Sequence, residues 1–176
     1  MMEDERRRAF ALAFIAQARS DWAVYRHLSE QRQFAPCHML HYLQMATAKL
    51  AKAYRLRDTK SPVDEIVSRH TGFAKLIGPF FLAALKAEYR DREAQLRGLI
   101  ARSRMLAREI EKLAPAIDRA TAPENAEYPW ERDDDVLAPC SYPFPSLELL
   151  RQPGGRAFLN LVERALDGFE QLSLAQ

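Results

Sequence analysis

Glycine and cysteine are scarce in this chain, with 6 and 2 among 176 residues. The few glycines form no phosphate-cradling loop, and no strained serine turn of the hydrolase kind is present. Cys37 and Cys140 lie far apart and belong to no C-x-x-C pair, so zinc ribbons and disulfide scaffolds are excluded as frameworks. A bond between the two cysteines stays open, but reduced thiols and a cytoplasmic setting are expected. Charge of one sign is also missing: the formal net charge is +2. That balance gives no global case for nucleic acid or a membrane and leaves room only for local basic stripes. The most apolar run, Leu76–Leu85, contains Gly78-Pro79 and is too short to span a bilayer. The opening MMEDERRRAF lacks the apolar core and small-residue cleavage site of a secretory signal. Histidine is confined to positions 27, 38, 41 and 70. Nothing later can supply an imidazole.

Alanine, leucine, arginine and glutamate dominate, and β-branched residues are few. This composition predicts an all-α protein. An apolar fraction of 48% can furnish a core, and the length suits one domain over 1–176. The clearest helical signal is Pro36–Arg57, which no glycine interrupts. Proline suits a first turn, where its missing N–H costs nothing. At about 100° per residue, Met39, Leu40, Leu43, Ala46, Leu50, Ala51 and Tyr54 share one face. The opposite arc carries His38, His41, Gln44, Lys49, Lys52 and Arg55.

Before it, Phe10, Phe14, Ala18, Trp22, Tyr25 and Leu28 form a seam, so a first helix is expected from Glu3 to about Gln33. Ser20-Asp21 allows a break in it, and Pro36 ends it. The two helices should form an antiparallel hairpin burying Leu40, Leu43, Leu50 and Tyr54, with Trp22 and Tyr25 against the second helix. Ser61-Pro62 opens a short helix to about Ser68, and Thr71 caps another that stops at Gly78. Pro79 then opens one long helix to about residue 118, with Leu82, Leu85, Tyr89, Leu96, Leu99, Leu106, Ile110, Leu113 and Ile117 on one stripe. Arg92 and Ser103 interrupt the stripe, and Asp91 or Gly98 offers a kink. A proline-rich loop follows over about 120–145, with an acidic run at Glu131–Asp135 read as solvated surface. Its Tyr128, Trp130, Tyr142 and Phe144 should pack on the bundle. Ser146 starts a short helix, Pro153-Gly154-Gly155 breaks the chain, and Phe158 to Phe169 closes it with an amphipathic helix.

The candidate ligand site is the arc of His38, His41, Lys49, Lys52 and Arg55, which suits a phosphate or nucleotide. The plainer reading is a polar helix face, salt-bridged to a neighbour such as Asp21 or Glu30. His38 and His41 sit at metal-ligating spacing, but no third ligand is apparent, so neither a metal nor a cofactor is expected. His70 reads as a structural cap or core hydrogen-bonder.

The stretch HYLQMATAKLAKAYRL resembles the second helix of HEPN domains, with Gln44, Ala46, Lys49, Lys52 and Ala53 in register with the family pattern and Ala48 in place of its glutamate. SRHTGFAKLIG, with His70, and NAEYPW, with Glu127 in place of the family's arginine, are similar to two later HEPN segments in the same order. The resemblance spans residues 38 to 130. It implies a HEPN-like up-and-down bundle, one long helix and a proline-rich loop before the C-terminal helices. Many members are RNases that use an arginine and a histidine on a late helix, the one stabilising charge on phosphate and the other moving a proton. Here the late histidine is missing. Arg32 and His38 have the spacing but straddle a proline break. The resemblance therefore implies a non-catalytic module acting through self-association and binding of a partner protein, RNA or nucleotide. The alternative is a metal-independent RNase of a toxin–antitoxin or antiviral-defence system.

A homodimer is expected on two grounds. HEPN domains pair through their helices, and an uncovered stripe from Leu82 to Ile117 would be a large apolar patch. A second subunit would cover its distal half unless the C-terminal helix and the proline-rich loop do so.

Overall fold

The computed structural model describes residues 2–58, 60–68, 72–85, 87–117 and 119–171. It is all-α. Helices α1 (Glu3–Ser29), α2 (Pro36–Asp58), α3 (Val63–Ser68), α4 (Phe73–Leu85), α5 (Glu93–Lys112) and α6 (Pro153–Asp167) are joined late by two 3-10 turns, Pro139–Ser141 and Pro145–Arg151. A two-stranded hairpin, β1 (Trp130–Arg132) and β2 (Asp135–Leu137), is the one sheet among the described residues.

Helices α1 and α2 form the most extensive pairing in the molecule. The charges of α1 match its dipole: Glu3, Asp4 and Glu5 lie in the first turn, Arg26 and His27 in the last. It stops at Ser29, before the expected Gln33. Ser29 Oγ donates to the Arg26 carbonyl at 2.7 Å, competing with the backbone ladder at that end. No break occurs at Ser20-Asp21, because Asp21 turns inward instead of capping. Leu40, Leu43, Leu50 and Tyr54 are buried as the pattern predicts, and so are Trp22 and Tyr25.

Tyr54 is the hub of the core. Its hydroxyl donates to the Ala165 carbonyl at 2.8 Å, and its ring meets Phe80 and Phe169 edge-on. Burial pushes the Tyr54 phenol up to about 12, and the Tyr25 phenol likewise. Their folded values lie above the unfolded value of 10.0. The unfolded chain therefore releases these protons first, and stability present below pH 10 is lost as pH rises toward 12. The full loss, reached as pH passes both values, is roughly 2–3 kcal/mol per tyrosine, and about half of it falls between pH 9 and 11. Urea unfolding at pH 9 and 11 checks this, and Tyr25→Phe and Tyr54→Phe should each flatten the fall.

The expected helix from Pro79 to residue 118 does not exist. Pro79 lies inside α4, and the chain reverses between Leu85 and Glu93 before α5 begins. Pro79 removes one backbone bond, at a cost of about 3 kcal/mol. Phe73, Ile77, Phe80 and Phe81 are each at most 1% exposed, and at about 1.5–3 kcal/mol per side chain their burial outweighs that cost. The reversal falls where the stripe is interrupted. Arg92, the residue before α5, has a non-helical backbone and an exposed side chain, with its guanidinium 4.9 Å from the Tyr89 ring. Arg164 crosses to this corner and donates to the Ala84 carbonyl at 3.1 Å and to Glu88 at 3.2 Å.

The distal half of the stripe is internal. Leu106, Ile110 and Leu113 are buried, and the Pro145–Arg151 turn and α6 lie against α5. Of the two coverings the sequence allows, the chain's own C-terminal segments supply the one seen here. The proline-rich segment is better organised than a solvated loop. Asn125 is 1% exposed and forms all four of its side-chain bonds: Nδ2 donates to the Pro123 and Tyr128 carbonyls, and Oδ1 accepts from the Glu127 and Tyr128 N–H groups. The acidic run folds as the hairpin, because Asp133 and Asp134 take the left-handed conformations of a two-residue turn. Trp130, Tyr142 and Phe144 cluster with centroids 5.0–6.4 Å apart, whereas Tyr128 is 51% exposed beneath Arg119. The expected break at Pro153-Gly154-Gly155 is instead the first turn of α6.

Candidate functional site

The five residues of the α2 arc do not converge on one point. His38, in the first turn, is exposed. His41 is half-buried, with Nδ1 3.2 Å from Glu127 Oε1 and its ring edge-on to Tyr42. Glu127 is held there by Asn125, so the proline-rich segment supplies this partner. Lys49 leaves the arc toward α1, with Nζ 2.5 Å from Asp21 Oδ2 and side-chain exposures of 19% and 7%. Asp21 also accepts from Gln17 at 3.1 Å. Asp21 is one of the two partners that the sequence suggests for a polar face.

Lys52 turns toward α3, where Nζ donates to the Val67 carbonyl at 2.6 Å and lies 5.3 Å from the Phe14 ring. Burial, with Lys49 close by, lowers its pKa from the usual lysine value. Arg55 runs to Gly72, whose positive φ of 139° only glycine adopts readily. Arg55 also has a further interaction of its own. Lys49 and Lys52 are thus neighbours that reach different acceptors. Lys49 and Lys52 stabilise helix packing, His41 pins the proline-rich segment, Arg55 lies against Gly72, and His38 is left in solvent.

Arg32 and His38 both lie at the α1–α2 connection and are exposed. Among the described residues, neither side chain has a hydrogen bond or an ion pair that would orient it for proton transfer. His70 and Thr71 lie outside the described residues. Cys37 is buried, Cys140 is exposed, and both thiols are free. Burial pushes the Cys37 thiol up, with Cys140 adding to it. Among the described residues no group of histidine, cysteine, aspartate and glutamate is placed to hold a metal ion, and no helix is long and apolar enough to cross a membrane.

Two concave surfaces lie between α4 and α5. At the corner where the chain reverses, Leu82, Tyr89, Leu96 and Ile100 wall an apolar groove of about 610 Å³ rimmed by Arg90, Glu93 and Arg97. Leu82 is 48% exposed there. At the other end of the hairpin, Lys75, Arg104 and Arg108 line a cleft of about 480 Å³. The sequence reading missed this cleft for a physical reason. The sequence pattern puts Lys75 on a short helix ending at Gly78 and Arg104 and Arg108 on a separate long one, whereas the hairpin sets all three side by side. The legible part was the four-residue spacing of Arg104 and Arg108, which puts both on one face.

Compared with known proteins, the chain matches no family model, no curated protein and no solved structure.

Proposed function

We propose that this chain is a non-catalytic, HEPN-like helical module of the cytoplasm that acts through self-association and through binding of a partner protein, RNA or nucleotide. The observation that carries the reading is the groove at the α4–α5 corner. Its wall is hydrocarbon and its rim is charged, the composition of a contact surface. The occupant that fits it best is a second copy of the chain. Around a two-fold axis the same rim meets itself, and Arg90, Glu93 and Arg97 supply both signs of charge. The commitment of His41, Lys49 and Lys52 to internal partners favours this surface over the α2 arc. The HEPN resemblance supplies the link to RNA or nucleotide.

Light scattering tests the self-association. The wild-type chain should run as a dimer at micromolar concentration, and Leu82→Glu should run as a monomer with unchanged helicity. Leu106→Glu and Ile110→Glu do not serve, since both side chains are buried within one chain and would unfold it. A wild-type chain that is monomeric throughout removes self-association from the reading.

A further inference from the structure

The cleft at the open end of the α4–α5 hairpin gathers cations that the fold does not use. Lys75 comes from α4, and Arg104 and Arg108 come from adjacent turns of α5. Among the described residues none of the three has a carboxylate partner, unlike Arg97, Arg132 and Arg151, which pair with Glu93, Glu124 and Glu148. Like charges sharing a concave surface raise one another's energy, and a bound anion relieves that repulsion.

Glu111, the one carboxylate in the lining, forms no ion pair with them among the described residues and is engaged by backbone instead. Its Oε1 accepts from the Gly72 and Ala74 N–H groups at 2.7 and 3.2 Å, so it serves the N-terminal end of α4. Arg104 is held in place by an independent feature. Gly78 sits inside α4, where glycine weakens a helix, and a Cβ there would lie 2.7 Å from Arg104 Nη2. The missing side chain is the space in which the guanidinium lies, half-buried. A guanidinium fork, a second guanidinium one turn on and a facing ammonium form a donor set for phosphoryl oxygens. The lining residues are Gly72, Ala74, Lys75, Arg104, Arg108 and Glu111, which offer no ring on which a base would stack.

We propose that this cleft binds the phosphate chain of a small phosphorylated ligand, of the diphosphate or polyphosphate kind, and reads the phosphates rather than the base. The proposal rests on the binding-module reading for its biological sense only, since RNA cleavage by the chain would sink that reading and leave the phosphate affinity untouched.

The test is calorimetric titration of the full chain with inorganic pyrophosphate at fixed ionic strength. The wild type should bind, and Arg104→Gln/Arg108→Gln should bind at least about tenfold more weakly. Gly78→Ala, whose Cβ displaces the Arg104 guanidinium, should weaken binding while keeping the fold. Arg151→Gln, on an exposed arginine outside the cleft, should leave binding unchanged. If the double variant does not fold, Lys75→Gln carries the same comparison on an exposed side chain. No binding by the wild type overturns the proposal, and so does equal affinity in the cleft variants. An equal loss in Arg151→Gln, which would mark general ionic attraction, does the same. A single-stranded oligonucleotide without terminal phosphate is the competing arm. If it binds the cleft and pyrophosphate does not, the site tracks a nucleic-acid backbone and the small-ligand proposal is overturned.

Discussion

Replacing Gly155 with alanine should cost at least about 3 kcal/mol of stability, whereas the same change at Gly154 should be nearly silent. The two glycines are neighbours in the first turn of α6 and differ only in what a methyl group would meet. At Gly155 a Cβ would lie 2.2 Å from the Leu149 carbonyl oxygen, 2.4 Å from Leu150 Cα and 2.5 Å from the Leu150 oxygen. All three are backbone atoms, so no rotamer change gives relief. Either α6 or the Pro145–Arg151 turn must move away. The movement opens the contact that buries Leu147, Leu150 and Phe158. At Gly154 the nearest atom is Arg102 Nε at 3.7 Å, an ordinary contact. Alanine there also gains up to about 1 kcal/mol of helix propensity over glycine. Thermal melts of the two variants decide the matter. With about 2–4 °C per kcal/mol for a chain of this size, Gly155→Ala should melt roughly 10 °C lower. Equal melting temperatures would mean that α6 does not pack on the turn as described.

Removing Asp21 alone should be nearly as damaging. Asp21 and Lys49 face each other between α1 and α2 with little access to water. Asp21→Ala leaves a largely buried ammonium with no counter-charge, a loss of about 3–5 kcal/mol. Lys49→Met strands the carboxylate, though Gln17 still donates to it, so its cost should be somewhat smaller. The double variant Asp21→Ala/Lys49→Met should recover much of the loss, because burial of a charge rather than absence of attraction dominates each single change. Urea midpoints of the four proteins give the coupling. Single-variant losses below about 1 kcal/mol would place the pair among exposed ion pairs.

Much of this fold is legible from side-chain periodicity. The α2 face that buries Leu40, Leu43, Leu50 and Tyr54 follows from spacing alone, as does the α1 seam through Trp22 and Tyr25. Reading failed where tertiary burial overrode a local signal. Pro79 looks like a helix start, yet the aromatic pair Phe80–Phe81 carries α4 straight through it. The stripe from Leu82 to Ile117 keeps its period across a chain reversal, although Leu96, Leu99, Leu106, Ile110 and Leu113 enter the core and Leu82 stays on the surface. Period alone cannot tell a hairpin from a rod. The acidic run at Glu131–Asp135 hides a two-residue turn, since two aspartates accept left-handed backbone where charge suggests only solvation. The α2 arc was legible as a set of polar side chains. Of their acceptors only Asp21 was legible, as a neighbour that could salt-bridge the arc; Val67 and Glu127 were not, because they lie on other segments further along the chain. The Lys75–Arg104–Arg108 cleft depends on the hairpin and was hidden for that reason.

On the function proposed above, this chain binds without cutting. Incubating pure protein with a mixed, end-labelled RNA and resolving the products on a denaturing gel tests it most directly. With that function, the RNA should keep its length with wild type and with His38→Ala alike. Cleavage by the wild type that disappears in a folded His38→Ala protein would contradict it and restore Arg32 and His38 as the site of a ribonuclease.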